Sequence, residues 1–395
     1  MPWRTAEMET ARARFVVEAE ISDLSHAELC RRHGISRPTG YKWIRRYQAE
    51  RLEGLKDRTH RPHSCPHATS NETVQRILEI RKHHRSQKDV WGARKIRKKL
   101  LDDPAIEDVP SLDTIQRILV RHGCVAERKP RRRREHAGPP LPIPPEPNST
   151  WTADFKGEFR MADRNLCFPL TVQDGHSRFL LACEGMLRLD LQATINRFRS
   201  LFREFGLPQR IRSDNGHPFA SRAIARLSQL SVWWISLGIL PELIEPGKPQ
   251  QNGRHERMHR TLKDSTASPP ADCLRSQQRA FDRFRRLYNT DRPHEALQME
   301  TPEAVYQPSP RPFTTRPDPI EYPGHFEMRR VSGDNTLRWN QRKVFVTGLL
   351  KGKHVGLEQI ADGVWSVYFG PVHLGWLDES DYRIMDVRER ARRRR

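Results

Sequence analysis

Three acidic side chains in the middle of the chain have the types and settings of a metal-binding catalytic site. Asp154 lies in the motif WTADF, Asp214 in RSDNG and Glu256 in QQNGRHER. Two strand-like segments and one helix-like segment carry them, so three carboxylates can converge from different elements. Such a cage can hold two divalent cations ~3.5–4 Å apart, which is the arrangement used for two-metal phosphoryl transfer.

Oxygen donors also predict which metal the cage would take. Carboxylates favour Mg²⁺, with Mn²⁺ as a substitute, over zinc. Other acids nearby compete as members of the site, namely Glu158, Asp163, Asp174 and Glu245. A second group, made of His60, His63, Cys65 and His67, could suggest zinc. Its members are crowded into a Pro-containing stretch without a second half-site, which is typical of a polar linker.

The charge of the chain indicates its partner. Seventy Lys and Arg residues against 49 Asp and Glu give a net charge of +21 and a pI of about 10.2. The excess is +11 over residues 1–147, +5 over 148–310 and +5 over 311–395. Such a basic chain is typical of a nucleic-acid-binding protein, and contact with double-stranded DNA should be spread along it, most of all in the first third.

Composition argues against other classes of partner. The longest apolar stretch, near residues 232–244, is interrupted by Gly238 and Pro241 and is too short to span a bilayer. We find no basic helix with an apolar face of the kind that binds a membrane surface. The scattered cysteines favour reduced thiols, so we expect a cytoplasmic, nucleoid-associated protein. The chain has no GxxxxGK[ST] loop, and we expect no nucleotide cofactor.

Short β-rich runs begin near residue 148 and predict the sheet that would position the acids. The runs TWTADFKGEFRM, CFPLTVQD and RFLLACEG precede a helical pattern over 190–205 and the strand-like QRIRSDNG. A helix near 219–237, a strand near 239–245 and a polar helix from about 250 follow. This order predicts an α/β mixed sheet flanked by helices, as in the ribonuclease H fold. Asp154 would lie in the first strand, Asp214 at the end of the neighbouring fourth strand, and Glu256 on the helix.

The N-terminal region predicts a helix-turn-helix unit. Ser25 and Glu28 form the pattern of a capping box, Gly34 breaks the chain, and Ser36 caps the next helix. In that second helix Tyr41, Ile44 and Trp43 are the candidates for the core. Arg37, Thr39 and Lys42 are then left near its N-terminal half, where a recognition helix meets the edges of the bases.

A second unit of the same kind follows. Helical patterns cover residues 71–84 and 91–101, and Ser111 caps a third helix that ends at Gly123. Its outward candidates for DNA contact are Thr114 and Arg117. Two such units predict a long, composite DNA site.

Two basic segments and a β-rich region complete the chain. RKPRRRR at 128–134, which contains Arg131, Arg132, Arg133 and Arg134, precedes a Pro-rich run, and this composition predicts an extended linker along DNA phosphates. Strand patterns after residue 320, with a hairpin turn at Asp362-Gly363, predict a small β-barrel that binds DNA or another subunit. The final RERARRRR is expected to be a phosphate-binding tail.

Four motifs in order resemble those of a bacterial insertion-sequence transposase with a retroviral-integrase-like core. They are W-x-x-D ending at Asp154, S-D-N-G around Asp214 followed by P-F, P-G-x-P-x-x-N-G-x-x-E ending at Glu256, and Y-N-x-x-R-P-H-x-A-L at 288–297. The resemblance covers the whole catalytic region and, more loosely, both flanks, where the barrel is similar to the SH3-like domain of integrases. Residues 215–255 form a longer spacing than most of that family has. We expect the surplus at 221–240, where it would lengthen the connecting helix.

The resemblance implies Asp154, Asp214 and Glu256 as catalytic, metal-binding residues that free a 3′-hydroxyl at the end of a mobile element and join it to another phosphodiester. It also implies double-stranded partners, the terminal inverted repeats and the target, and a homo-oligomer on DNA. The neighbours of the acids that we expect to face DNA are Asn215, Lys248, Asn252, His255, Arg257 and Lys263.

Two other functions remain open. Tyr288, Arg292 and His294 could belong to a tyrosine recombinase, but that class would need a larger helical domain with more Arg and His partners and would leave the three acids unexplained. The chain could also be a non-catalytic, sequence-specific DNA-binding regulator that uses only its helix-turn-helix units. The predicted organisation is two helix-turn-helix domains, the second of them winged or plain, then linker, ribonuclease H-like core, barrel and tail, with bounds 1–60, 68–127, 128–147, 148–307, 320–382 and 386–395.

Overall fold

The computed structural model describes residues 5–58, 68–86, 89, 91–125, 142–155, 157–245 and 248–387. Its backbone divides into two compact units, Met1–Ala68 and Thr69–Arg395. The His60 cluster, the four arginines at 131–134 and the basic tail after 387 lie outside the described residues, so their predictions stand as made. Among the helices that are described, none combines the length and the apolar character needed to cross a membrane.

The first unit is a bundle of three helices, α1 (Thr5–Ile21), α2 (His26–Arg32) and α3 (Arg37–Glu50), followed by a 3-10 turn at Arg51–Leu55. Serine caps start two of them, as predicted. Ser25 Oγ accepts from the backbone N–H of Glu28 at 3.3 Å, and Ser36 Oγ from that of Thr39 at 3.4 Å. These bonds satisfy amide groups that a helix start leaves without partners, so the capping serines fix where α2 and α3 begin.

Packing of α3 corrects one sequence expectation. Trp43 is buried, but Tyr41 is 49% exposed and stacks on His26 instead of entering the core. The buried positions of α3 are Gly40 and Trp43, three residues apart and therefore on one face. At Gly40 an added Cβ would lie 2.6 Å from Cys30 Sγ, so only glycine lets α2 approach this closely.

The second unit opens with three more helices, α4 (Asn71–Ser86), α5 (Ala93–Leu101) and α6 (Leu112–Arg121). Ser111 Oγ accepts from the backbone N–H of Thr114 at 3.3 Å and caps α6 as predicted. The core of these helices consists of Ile77, Ile80, Trp91, Ile96, Leu100, Ile115, Ile118 and Leu119.

A mixed sheet follows, as the sequence predicts, but the first predicted run forms two strands, so that the strand before Asp214 is the fifth and not the fourth. Its strands are β1 (Thr150–Phe155), β2 (Phe159–Arg160), β3 (Leu166–Asp174), β4 (Leu180–Met186), β5 (Arg210–Ser213) and β6 (Leu240–Leu243). The order is β2-β3-β1-β5-β6, with β4 also paired to β3. β1 is antiparallel to β3 and parallel to β5, and β5 is parallel to β6. The two central strands β1 and β5 are therefore neighbours.

Helices cover this sheet. They are α7 (Leu191–Phe205), α8 (Gln229–Ser236), α9 (Gly253–Thr266), α10 (Leu274–Thr290) and α11 (Pro302–Val305). Trp151, Phe198, Phe202 and Trp234 pack in one core cluster, whereas Met258 of α9 packs in another. Both clusters are formed from sheet and helix side chains, so α9 is fixed against the sheet by apolar packing.

The surplus between the second and third acids does not lengthen the connecting helix, contrary to our expectation. Only Gln229–Ser236 is α-helical, and a 3-10 turn at Ile224–Arg226 precedes it. Ser228 caps α8 through a reciprocal capping box with Ser231, which stops the helix from extending backward. Leu227 before the cap packs instead in the core of the C-terminal sheet.

Seven strands form the C-terminal region: β7 (Glu327–Arg330), β8 (Thr336–Trp339), β9 (Arg342–Phe345), β10 (His354–Ala361), β11 (Val364–Phe369), β12 (Val372–Asp378) and β13 (Arg383–Met385). Five of them pair in the order β13-β12-β11-β10-β7, and β8 pairs with β9. The predicted hairpin turn is present between β10 and β11, with Gly363 at φ +68°. This pairing gives a sheet region and does not confirm closure into a barrel.

Candidate active site

Asp154 and Asp214 lie at the same edge of the two central strands. Ala153 of β1 pairs with Ser213 at the end of β5, so each aspartate is the next residue along parallel neighbours. The Asp154 side chain is 17% exposed. Asp214 Oδ1 accepts from the backbone N–H of Gly216 at 3.1 Å, which orients the carboxylate at the start of its loop. Asp154 thus lies in the first strand and Asp214 directly after the neighbouring central strand, as predicted, although that strand is the fifth in chain order.

The N-terminus of α9 meets Asp154 through Asn252, the N-cap residue of the helix. Asn252 Nδ2 donates to Asp154 Oδ2 at 3.3 Å, and its side chain is buried. Glu256 follows in the same turn, but its side chain is exposed. The structure thus brings the N-terminus of α9 to Asp154, but the Glu256 side chain on that helix is exposed to solvent.

Two histidines of α9 lie beneath this turn and form a buried network that we did not predict. Thr171 Oγ1 lies 2.6 Å from His255 Nε2 and 2.7 Å from His259 Nε2. Its hydroxyl also donates to the backbone oxygen of Asp154 at 3.2 Å. Thr152 Oγ1 is 2.7 Å from His255 Nδ1, and His259 Nδ1 is 3.7 Å from Asp154 Oδ2. The network ties α9 to β1 and β3 around the Asp154 carboxylate.

Spacing in the sequence could have revealed this network. His255 and His259 are four residues apart in HERMH, and that separation places two side chains on one face of a helix. Threonines at alternate positions of strand-like runs offer hydroxyls on a single face of the sheet.

The donor set decides how a metal fits this site. Asp154, His255 and His259 form a group whose potential ligand atoms lie within 4.8 Å of one another. Both ring nitrogens of His255 and Nε2 of His259 already lie within hydrogen-bonding distance of threonine hydroxyls, so a metal on the imidazoles would disrupt them. Within the described residues, Asp214 makes no salt bridge, and its carboxylate is available to a cation. Hard carboxylate oxygens of Asp154 and Asp214 therefore fit Mg²⁺ better than a nitrogen-bound metal.

The competing acids have other surroundings. Asp174 is fully buried and accepts from Ser177 Oγ at 2.6 Å and from the backbone N–H of Asn148 at 2.8 Å. Burial raises the pKa of Asp174 despite these bonds. Glu245 pairs with Lys248 at 2.5 Å, and this hydrogen bond lowers its pKa. Both acids thus serve local structure at these positions, and the exposed Asp163 hydrogen-bonds to Asn165.

Several residues expected at the DNA surface have different positions in the structure. His255 is 1% exposed and belongs to the threonine network, so its side chain does not face DNA. Asn252 is buried against Asp154. Asn215 donates to the backbone oxygen of Ile244 at 2.7 Å and accepts from Arg226, whereas Lys248 is exposed, as expected, and pairs with Glu245. The side chains of His255, Asn252 and Asn215 are therefore held inside the protein by burial or by hydrogen bonds, which the sequence alone could not show.

The other expected DNA contacts lie at or near the surface. Arg37, Lys42, Arg117, Arg257 and Lys263 are exposed. Thr39 and Thr114 are half-buried in the first turns of α3 and α6, each with its hydroxyl within 3.0 Å of the capping serine Oγ. The position of these residues in the first turns and on solvent faces is compatible with contact to a phosphate backbone.

The motif at 288–297 is structural in the described residues. Tyr288 is buried, its hydroxyl accepts from Gln173 Nε2 at 3.1 Å, and burial raises its pKa. Arg292 pairs with Asp89. A nucleophilic tyrosine would need an accessible hydroxyl, so this environment argues against a tyrosine recombinase.

Family models match the regions that carry these features. An integrase core domain matches residues 144–249, and a second integrase core model matches residues 237–302. A helix-turn-helix domain matches residues 11–63, and a homeodomain-like domain matches residues 39–119. The predicted combination of helix-turn-helix and integrase core regions is thereby confirmed.

Proteins of two insertion elements are similar to this chain. An uncharacterized 31.7 kDa protein of insertion element IS407 from Burkholderia multivorans is 30% identical over 182 residues, which are 44% of this chain and 62% of that protein. An uncharacterized 39.2 kDa protein of insertion element IS476 from Xanthomonas euvesicatoria is 28% identical over 278 residues, 67% of this chain and 73% of that protein. The chain thus spans less than two thirds of the length of the first relative.

Solved structures of viral integrases are also similar in part. The catalytic core domain of HTLV-2 integrase in complex with magnesium is 15% identical and matches 41% of this chain and 99% of that one, with a TM-score of 0.33. A simian T-cell lymphotropic virus intasome in complex with a PP2A regulatory subunit is 16% identical and matches 74% of this chain and 96% of that one, with a TM-score of 0.36.

Proposed function

We propose, on the premise that the chain carries an integrase core domain and helix-turn-helix domains, that it is a DDE transposase. It would bind the ends of a mobile DNA element and catalyse metal-dependent 3′-end cleavage and strand transfer. The observation that carries the proposal is the register of β1 and β5, which sets Asp154 beside Asp214 at the edge that the first turn of α9 approaches.

Asp154, Asp214 and Glu256 are the proposed metal ligands. When bound, two Mg²⁺ ions would stabilise the attacking and leaving oxygens of an in-line displacement at phosphorus, and Mn²⁺ could substitute. Asn252 holds the Asp154 carboxylate from the side, and the Gly216 amide orients that of Asp214. Glu256 would complete the set by turning its exposed side chain toward the strand edge. A helix-borne carboxylate with freedom to move suits a site that closes on DNA.

DNA recognition is assigned to the two helix-turn-helix units. The N-terminal halves of α3 and α6 would present Arg37, Thr39 and Lys42, and Thr114 and Arg117, to terminal inverted repeats. Arg131, Arg132, Arg133 and Arg134 would lie along phosphates. The C-terminal sheet would act as an SH3-like barrel that binds DNA or another subunit, and the protein would work as a homo-oligomer on element and target DNA. The domain bounds expected from the sequence, and a place at the bacterial nucleoid, are part of this proposal.

Conversion of the carboxylates to amides provides the test. Asp154→Asn, Asp214→Asn and Glu256→Gln should each reduce Mg²⁺-dependent nicking and joining of element-end DNA by at least ~10³-fold, because each removes a metal-binding charge. Binding of the same DNA should persist and weaken steeply with salt. Glu245→Gln, an exposed acid on the loop before α9, is the matched control and should remain active.

The alternative, a non-catalytic DNA-binding regulator, makes the opposite prediction. It expects wild type and the three amide variants to bind end DNA equally and to leave it intact with Mg²⁺ or Mn²⁺. That result would remove the enzymatic proposal and retain the helix-turn-helix one.

A further inference from the structure

A basic cavity of about 330 Å³ lies between α5, α9 and the segment that follows α10. Its charged lining consists of five cations and one carboxylate, namely Lys95, Arg178, Arg254, Arg257, Arg292 and Glu295. All of them belong to the second unit, Thr69–Arg395. The excess of positive charge in a concave site indicates an anionic ligand.

Acids of the core are already used to dock α5. Arg94 pairs with Glu295 at 2.7 Å, Lys98 with Glu300 at 3.1 Å, and Lys99 with Asp291 at 2.8 Å. These pairs hold α5 against the core. Lys95 lies on the same helix and faces the cavity without a carboxylate within 4 Å among the described residues.

The cations of the cavity repel one another, and most of them are buried or half-buried. Burial, followed by repulsion from Arg292, lowers the pKa of Lys95 to about 7. Arg178 is 9% exposed, and burial followed by repulsion from Arg254 lowers its pKa to about 10. Arg292 pairs with Asp89, and Arg254 donates to the backbone oxygen of Pro142 at 3.3 Å. A bound anion would offset the cost of burying these positive charges and would favour the charged forms of Lys95 and Arg178.

We propose that this cavity binds a backbone phosphate of DNA and so couples the second helix-turn-helix unit to the catalytic helix. Arg254 and Arg257 flank Glu256 on α9, so a phosphate held there lies beside the helix of the third acid. This inference rests on the proposed function, because it takes DNA as the substrate of the core.

Chemistry and size favour a phosphodiester. Arginine can donate two parallel hydrogen bonds to phosphate oxygens, and the cavity is lined by arginines and a lysine from several elements. The volume is at the lower end of the ~300–1,000 Å³ of ligand pockets, which suits one or two phosphates of a strand crossing the opening.

The first experiment measures salt dependence. We compare the double variant Lys95→Gln with Arg257→Gln against the control Arg279→Gln with Arg286→Gln, which removes two exposed charges from α10 outside the cavity. Fluorescence anisotropy on element-end DNA at several salt concentrations should show a slope of log K reduced by about 1–2 and binding about 10-fold weaker in the cavity variant. Equal slopes in the cavity and control variants would overturn the inference.

The second experiment locates the phosphate. Single methylphosphonates, which are uncharged, are placed along the end DNA near the cleavage site. One or two positions should weaken binding by wild type about 10-fold and have little further effect on the cavity variant. A flat scan, together with inorganic phosphate that raises the melting temperature of wild type but not of the variant, would instead assign the cavity to a free anion and overturn the DNA assignment.

Two further measurements distinguish a failure of this inference from a loss of folding and from a failure of the proposed function. Arg257→Gln alone changes an exposed residue and should keep the wild-type melting temperature, so a changed slope in this single variant supports the inference independently of Lys95. Wild-type protein that neither binds nor nicks end DNA would remove the proposed function itself, whereas wild-type nicking with unchanged cavity variants would remove only the inference.

Discussion

Thr171 is the residue that joins the chemistry of the candidate site to the interior of the protein. Its single hydroxyl contacts both α9 histidines and the backbone of Asp154. A buried network of this kind fixes positions only while every member keeps its partner. The two imidazoles act as positioning groups, since they orient β1 and α9 and are not themselves placed at a reacting phosphate.

Thr171→Val should therefore disturb the site more than its small change in shape suggests. It removes the hydroxyl that both buried rings contact, at a cost of about 1–3 kcal/mol, and we expect Mg²⁺-dependent nicking to fall about 10-fold or more. The free energy of unfolding and the nicking rate are measured in parallel. Thr290→Val is the control, because that exposed hydroxyl donates only along its own helix to the backbone oxygen of Arg286. A folded Thr171→Val protein with full activity would contradict the positioning role.

Sequence patterns predict the placement of Asp154 and Asp214 but not the environment of the residues around them. Strand-like runs indicate which residues precede a turn, and the sheet bears this out for both aspartates. Which side chains of α9 are buried depends on which apolar residues of the helix pack against the sheet. Met258 and Leu262 pack in a buried cluster, and in this orientation of the helix His255 is buried and Glu256 is exposed.

At the scale of elements, α5 is held on the core by charged pairs, and a stacked pair of rings joins α4 to Trp91, which precedes α5. His84 of α4 stacks on Trp91 with ring centroids 3.4 Å apart, and its Nε2 lies 3.7 Å from Asp291 Oδ2. Burial outweighs this carboxylate and lowers the pKa of His84 to about 4. Burial also lowers the pKa of His294, to about 3. Both rings are thus neutral at pH 7 in the folded protein.

These two histidines predict acid destabilisation of the second unit. An unfolded histidine takes up a proton near pH 6.5, whereas the lowered pKa values keep His84 and His294 neutral in the folded protein until about pH 4 and about pH 3. The stabilisation from the neutral rings is therefore fully present above pH 6.5 and is lost as the pH falls below it. His84→Phe keeps a ring against Trp91 and should flatten the decrease in melting temperature between pH 6.5 and 4. The exposed His122→Gln serves as control, and an unchanged pH profile in His84→Phe would exclude this explanation.

Element types were predictable because local signals agree with one another. Serine caps, glycine breaks and apolar periodicity mark α2, α3 and α6, and each helix starts where its cap predicts. The ends of α8 were not predictable. RAIARLSQLSVWWISLG has a helical composition throughout, but Ser228 caps it internally and the preceding residues pack on a sheet more than 90 positions later in the chain. Such long-range packing leaves no local pattern.

At the scale of the whole second unit, the longer connection between the second and third acids is an interface. Leu227, Val232 and Ile235 pack with strands of the C-terminal sheet in one buried cluster. Arg226, next to Leu227, donates to Asn215, which directly follows Asp214. Packing against the C-terminal sheet is therefore linked by one hydrogen bond to the loop of a proposed metal ligand.

Leu227→Ala should weaken the packing between the connection before α8 and the C-terminal sheet. The cavity that it leaves is expected to reduce the free energy of unfolding by ~2–5 kcal/mol and to make the segment between residues 306 and 326 more sensitive to limited proteolysis. Leu189→Ala, at a 39% exposed position before α7, is the control and should change stability by less than ~0.5 kcal/mol. An equal effect of the two substitutions would show that the C-terminal sheet does not depend on this contact.

The packing of residues 224–235 on the C-terminal sheet has a consequence for how such proteins diversify. A C-terminal sheet exchanged between relatives would meet the wrong surface unless the connection before α8 were exchanged with it. We expect chimaeras that swap the sheet alone to aggregate, and chimaeras that swap both segments to remain folded. The two segments would then be inherited as a pair, although about 100 residues of chain separate them.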